Sequence, residues 1–195
     1  MAIERLRAAL LTGGATGFRG DWEVTSDATP EGGRTLTPAA VLIAVTKEAE
    51  PQLLLTKRTT NMSRHPGQIA FPGGRVDPGD ESAIAAALRE AEEEVSLHRH
   101  HVEVLGTLDR YETGTGFSIL PVVGLVPPGL VFAKQEREVA EVFHVPFAHV
   151  MDPANHEMRT GEWQGKKRHF FVIRHGDREI WGATAGMIVN LSRRL

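Results

Sequence analysis

The chain has 195 residues, 41% hydrophobic and 24% charged, with a formal net charge of -3. That length supports one domain with a substantial core, and the charge balance offers no basis for broad attraction to nucleic acid or an anionic membrane. The absence of cysteine excludes disulfides, thiolate nucleophiles and cysteine-ligated zinc or iron–sulfur centres.

The opening residues, MAIERLRAALL, are amphipathic but too short and too interrupted by charge for a signal-peptide core or a membrane span. A cytoplasmic protein is the expectation. Residues 1–37 read as a short helix (3–11) followed by an irregular extension rich in Gly, Thr and Asp, and residues 38–195 as the single folded domain. AAVLIAV (39–45) and QLLLTKR (52–58) are strand-like runs joined as a hairpin through KEAEP. Residues 58–80 hold too many Gly, Pro and polar residues for one regular element and read as a structured loop, a type of segment that often carries function.

Residues 81–97 form the clearest helix. Ile84, Ala87, Leu88, Ala91 and Val95 recur at helical spacing, and Asp80 is placed to cap the N-terminus. Strands are expected at 101–108, 118–126, 141–145 and 169–173, and helices at 145–151 and 183–195. Strands outnumber helices, and the pattern predicts a mixed sheet flanked by helices, of the α/β (α+β) class.

The helix raises the first chemical question. Glu90, Glu92, Glu93 and Glu94 lie within five positions, and like charges three or four apart on a helix repel. At about 100° per residue, Glu90, Glu93 and Glu94 share one face opposite the apolar stripe, whereas Glu92 and Arg89 point elsewhere. Three carboxylates on one face are hard oxygen donors, suited to Mg²⁺ or Mn²⁺ rather than zinc or copper. Taken alone, the run would also serve as a solvated face.

The segment from FPGG (71–74) through Glu81 to REAEEEVSL (89–97) resembles the signature of the Nudix hydrolases. Glu81, Arg89-Glu90-Ala91, Glu93-Glu94 and Leu97 match in register. Ser96 stands where the pattern has Gly, and one extra residue separates Gly74 from Glu81, so that Asp80 is an alternative to Glu81 at the regular distance. The resemblance implies an α/β/α sandwich that hydrolyses diphosphates with Mg²⁺ or Mn²⁺. Glu90 and Glu94 would be the main metal ligands, Glu93 a further ligand or a base acting through water, and the carbonyl of Gly73 or Gly74 a fourth oxygen. Arg89 would orient a carboxylate such as Glu81 or Glu93.

Upstream, LLTKRTTNMSRHPGQIAFPGG (54–74) resembles the extra motif of the coenzyme A pyrophosphatase branch. Leu54, Leu55, Thr56, Arg58, Gly67 and Phe71 match. Thr59 replaces Ser or Ala, and Ser63 occupies the second Arg position, with Arg64 one residue later. This branch implies a small-molecule substrate, coenzyme A or a derivative, cleaved to 3′,5′-ADP and 4′-phosphopantetheine. Lys57, Arg58, Arg64 and His65 would meet its phosphates, with Gly67 shaping the loop. Another nucleoside diphosphate derivative (ADP-ribose, NADH, a dinucleoside polyphosphate) is the alternative, and a silent nucleotide-binding module a third reading.

Other residues receive narrower expectations. Nudix enzymes often draw an additional acid from a loop facing the helix; of Glu136, Glu138 and Glu141, Glu138 is favoured because Glu141 falls in a predicted strand. His98, His100 and His101 read as end-of-helix residues rather than metal ligands. Phe71 reads as a structural anchor, and TGTGF (113–117) as a hairpin turn. The sequence leaves the oligomeric state open.

Overall fold

The computed structural model describes residues 2–11, 20–25, 35–60, 66–163 and 165–195. The order of elements is α1 (Ala2–Leu11), α2 (Asp21–Val24), β1 (Thr37–Thr46), β2 (Gln52–Arg58), β3 (Ile69–Ala70), β4 (Gly73–Arg75), α3 (Ala83–Val95), β5 (Glu103–Thr107), β6 (Tyr111–Glu112), β7 (Phe117–Val126), β8 (Val139–Pro146), α4 (Phe147–Met151), β9 (Glu157–Trp163), β10 (Lys166–His175), β11 (Arg178–Trp181) and α5 (Ala183–Ser192).

β1 is apolar along almost its whole length because it is covered on both faces. Ala40, Leu42 and Ala44 point with Leu54 and Val122 toward Ala87, Ala91 and Val95 of α3. The alternate residues Ile43 and Val45 join Leu53, Leu55, Val123 and Leu125 in a second cluster with Ile188 and Leu191 of α5 and Leu6 of α1. The sheet is thus the filling of an α/β/α sandwich. It is mixed: β1 runs parallel to β7 from Thr37↔Phe117 to Thr46↔Val126, while β5 and β6 pair antiparallel to the far edge of β7.

The other edge of β1 is forked. β2 pairs with it at Val45↔Leu53, then separates. β4 takes over at Ala39↔Arg75, Ala40↔Gly74 and Val41↔Gly73, and β3 pairs with β2 at Thr56↔Ala70 and Lys57↔Ile69. Residues 69–75 therefore form a wedge in the fork, pinned at Phe71, which is 3% exposed. The segment expected to be loop thus contains two short strands. Beyond β2 lies β8, paired from Gln52↔Pro146 to Arg58↔Val139, with an irregularity at Lys57/Arg58.

Three further strands, β6, β9 and β11, lie outside the expected elements; β9 and β11 join β10 in a separate antiparallel sheet. Glu157, Arg159, Glu179 and Arg174 form ion pairs on it, so the charges that masked an alternating pattern in the sequence neutralise one another in the fold. In the expected irregular extension, α2 is ordered by Asp21, whose carboxylate accepts the Tyr111 hydroxyl at 2.9 Å and the Gly114 amide at 2.7 Å. The TGTGF segment is a hairpin turn closing β6 onto β7, with Gly116 at φ 91°. No helix among the described residues is long and apolar enough to cross a membrane.

Candidate active site

The helix at the centre of the site begins two residues later than a cap at Asp80 would give. Ser82 is the N-cap, its side chain accepting the Ala85 amide at 3.1 Å. Asp80 is instead drawn away: its Oδ2 accepts the Asp77 amide at 2.8 Å, and both of its oxygens face Arg89. At the other end, Ser96 adopts the left-handed conformation (φ 58°, ψ 31°) that closes a helix. The Ser96 and Leu97 amides return to the carbonyls of Glu92 and Ala91. The helix therefore ends where the signature glycine would end it.

Arg89 gathers the acidic groups. Its Nε and Nη2 donate to the two Asp80 oxygens at 2.9 and 3.0 Å, and its Nη1 to Glu90 and Glu93, each at 3.0 Å. Nη2 also meets the Arg75 carbonyl at 3.1 Å, tying α3 to β4. These hydrogen bonds, Asp80 foremost, stabilise the guanidinium cation, and the same contact lowers the Asp80 pKa. Of Asp80 and Glu81, Asp80 is the one paired with Arg89, and Glu81 is exposed.

Glu94 and Glu90 face the wedge. Glu94 is 6% exposed, and its Oε2 accepts the Gly73 amide at 3.3 Å. Burial pushes its carboxyl up to about 8; the Gly73 amide and the Arg58 charge offset that rise, while Glu90 and Glu138 add to it. Glu90 is likewise raised by burial, against the pull of Arg89. Gly74 supplies the space for Glu90: an ideal Cβ at Gly74 would lie 2.3 Å from Glu90 Oε1. Glu93 differs, with a side chain 59% exposed and held by Arg89. Among the described residues no three acidic or imidazole side chains form a ready-made metal cage. What the wedge and helix provide is a pair of partly desolvated carboxylates whose charges oppose each other beside a Cβ-free backbone. Such oxygen donors fit a hard divalent cation, which would relieve both the repulsion and the burial cost.

Residues 36–168 match the NUDIX domain family. The chain belongs to the Nudix hydrolase family. It is 42% identical over 157 residues to the protein named "Uncharacterized Nudix hydrolase NudL" of Enterobacter sp. strain 638, covering 80% of this chain and 82% of that one. The protein of the same name from Escherichia coli K12 is 41% identical over the same shares. Among solved structures, a MutT/nudix family protein from Enterococcus faecalis aligns over 86% of this chain and 64% of its own, with a TM-score of 0.51 and 15% identity, which speaks to the fold.

In this Nudix hydrolase the other expected residues are placed unevenly. Arg58 ends β2 close enough for its charge to act on Glu94, whereas Lys57 is exposed. Gly67 takes φ 69° in the turn entering the wedge, a conformation that favours glycine. Arg64 and His65, with Ser63, lie outside the described residues. Glu138 lies in the loop after β7, and its charge reaches both Glu90 and Glu94. Glu141 is on β8, as expected, and forms an ion pair with Arg178. His98 bonds Glu92 at 2.8 Å and stacks on His100, an exposed arrangement beyond the helix end. Arg75, not singled out in the sequence, contributes its carbonyl to Arg89 and sets its guanidinium 5.9 Å from the Phe117 ring centroid.

Proposed function

We propose that this enzyme hydrolyses the diphosphate linkage of coenzyme A or a derivative, releasing 3′,5′-ADP and 4′-phosphopantetheine, with Mg²⁺ or Mn²⁺ as cofactor. The observation that carries the catalytic part is the burial of Glu94 against Gly73, with Glu90 filling the space beside Gly74. In this reading Glu90 and Glu94 would hold the cation, the Gly74 carbonyl would add a neutral oxygen, and Glu93 would be a further ligand or a base acting through water. The bound cation supplies charge neutralisation of the diphosphate and a more acidic water. Arg89 keeps the carboxylates in place, and Glu138 is the loop acid that accepts a proton from the attacking water.

The substrate assignment draws on the LLTKR segment, which ends β2 beside the fork. Arg58 and Lys57, and Arg64 and His65 after them in the sequence, would meet the phosphate oxygens. A small-molecule substrate, with no nucleic acid or membrane partner, is part of the same reading. The deciding assay incubates the protein with coenzyme A, dephospho-coenzyme A, ADP-ribose, NADH and a dinucleoside polyphosphate, with Mg²⁺ or Mn²⁺ and with chelator, and identifies products by mass. Release of 3′,5′-ADP from coenzyme A, lost with chelator, is the expected result. Faster turnover of ADP-ribose than of coenzyme A would move the assignment to the alternative substrate class.

A further inference from the structure

The loop between β7 and β8 is gripped from two sides, by α3 and by the end of β2. On the α3 side, the Glu94 carbonyl accepts the Gln135 amide at 2.9 Å, and Ser96 Oγ donates to the Ala133 carbonyl at 3.2 Å. On the β2 side, Thr59 Oγ1 donates to the Arg137 carbonyl at 3.0 Å, and the Thr59 amide to the Glu138 carbonyl at 2.9 Å. Within the loop, Gln135 closes the turn: its Oε1 accepts the Arg137 amide at 2.6 Å, and its carbonyl accepts the amides of Glu138 and Val139. The main chain at Glu138 is thus bonded through both its amide and its carbonyl.

Two of these contacts come from side chains where the sequence departs from the family patterns. Ser96 replaces a glycine, which has no hydroxyl to offer. Thr59 stands where the branch motif has Ser or Ala, and Ala could not make the bond. Both hydroxyls end on carbonyls of the same short loop, from opposite walls, and Ser96 holds a left-handed conformation while doing so.

We propose that Thr59 and Ser96 are positioning residues of the hydrolytic reaction, clamping the 133–138 loop between β2 and α3 so that the Glu138 carboxylate is held within electrostatic reach of Glu90 and Glu94. The inference rests on the reading of Glu138 as the loop acid that serves the site. The clamp acts on the placement of that carboxylate and not on substrate affinity, so its loss reduces kcat and spares KM.

The test compares wild type with Thr59→Val, Thr59→Ser, Ser96→Gly, Glu138→Gln and the double variant T59V/E138Q. Each is assayed on whichever panel diphosphate wild type turns over fastest, and its melting temperature is recorded. T59V and S96G are each expected to lower kcat by about five- to twentyfold with KM within about twofold. Ser96→Gly does so without a lower melting temperature, because glycine accepts the left-handed conformation freely. Thr59→Ser restores most of the rate, and T59V adds no further loss in the E138Q background. Wild-type kcat in T59V and S96G, or a T59V effect that multiplies with that of E138Q, overturns the clamp. Wild-type kcat in E138Q is a separate outcome: it overturns the loop-acid reading itself and removes the clamp's purpose with it.

Discussion

Gly74 and Glu90 share a space that a single methyl group would fill, the ideal Cβ falling 2.3 Å from one carboxylate oxygen and 2.6 Å from the other. This explains in steric terms why the second glycine of FPGG belongs with an acidic residue sixteen positions further along the chain: β4 is held against β1 by its ladder, so the side chain must yield. Gly74→Ala is expected to displace the Glu90 carboxylate and lower kcat by about two orders of magnitude, with far-UV circular dichroism unchanged. Steady-state kinetics on the purified variant checks this, and wild-type turnover would remove Glu90 from the site.

Glu94 sets a pH dependence. Its carboxyl is raised from 4.5 to about 8 by burial. Between those values the folded state binds more protons than the unfolded one, so this group's contribution to stability is complete below the lower value and is lost as pH rises through the upper one. The loss is at most about 1.4 kcal/mol per pH unit in that window. In chelator, the melting temperature of Glu94→Gln is expected to fall less than that of wild type between about pH 5 and pH 8, giving the variant the higher value at the alkaline end. The same variant should lose activity by about two orders of magnitude or more while remaining folded. Parallel pH slopes for the two proteins would contradict the burial argument.

The bidentate contact between Arg89 and Asp80 separates two acids that are adjacent in sequence. Asp80→Asn replaces one accepting oxygen with a donor and should loosen Arg89 from Glu90 and Glu93, lowering kcat about tenfold. Glu81→Gln, at an exposed position, should stay within about twofold of wild type. The reverse order would restore Glu81 to the signature position.

Ser96 is the only non-glycine residue with positive φ among those described. A β-branched side chain fits that conformation poorly, so Ser96→Val is expected to destabilise by about 1–2 kcal/mol, whereas Ser96→Gly is neutral or slightly stabilising. Urea unfolding at one pH measures both, and equal stability for Val and Gly would contradict the left-handed assignment.

The helix was legible because its determinants are local. Periodicity alone placed Glu90, Glu93 and Glu94 on one face and set Glu92 apart, and Glu92 is indeed occupied by His98. The strands 39–45, 52–58, 118–126 and 141–145 were legible for the same reason, as runs buried on one or both faces. β9 and β11 were hidden because their charges are paired across strands that the sequence keeps apart. The cap was misplaced because Asp80 and Ser82 are both good capping residues, and only the presence of Arg89 across the helix start decides which is free to cap.

The acidic face, the apolar stripe opposite it and the glycine pair near it follow from the order of residues alone, since helical spacing and backbone freedom are properties of neighbouring residues. Tertiary structure decided which acids are buried and which are wet. Glu94 is enclosed and Glu93 exposed although they are consecutive, because the 69–75 wedge enters the fork between β1 and β2 on one side of the helix only. Desolvation and electrostatic coupling depend on strands and loops distant in sequence, and so the chemistry of these carboxylates exists only once the fork has closed around them.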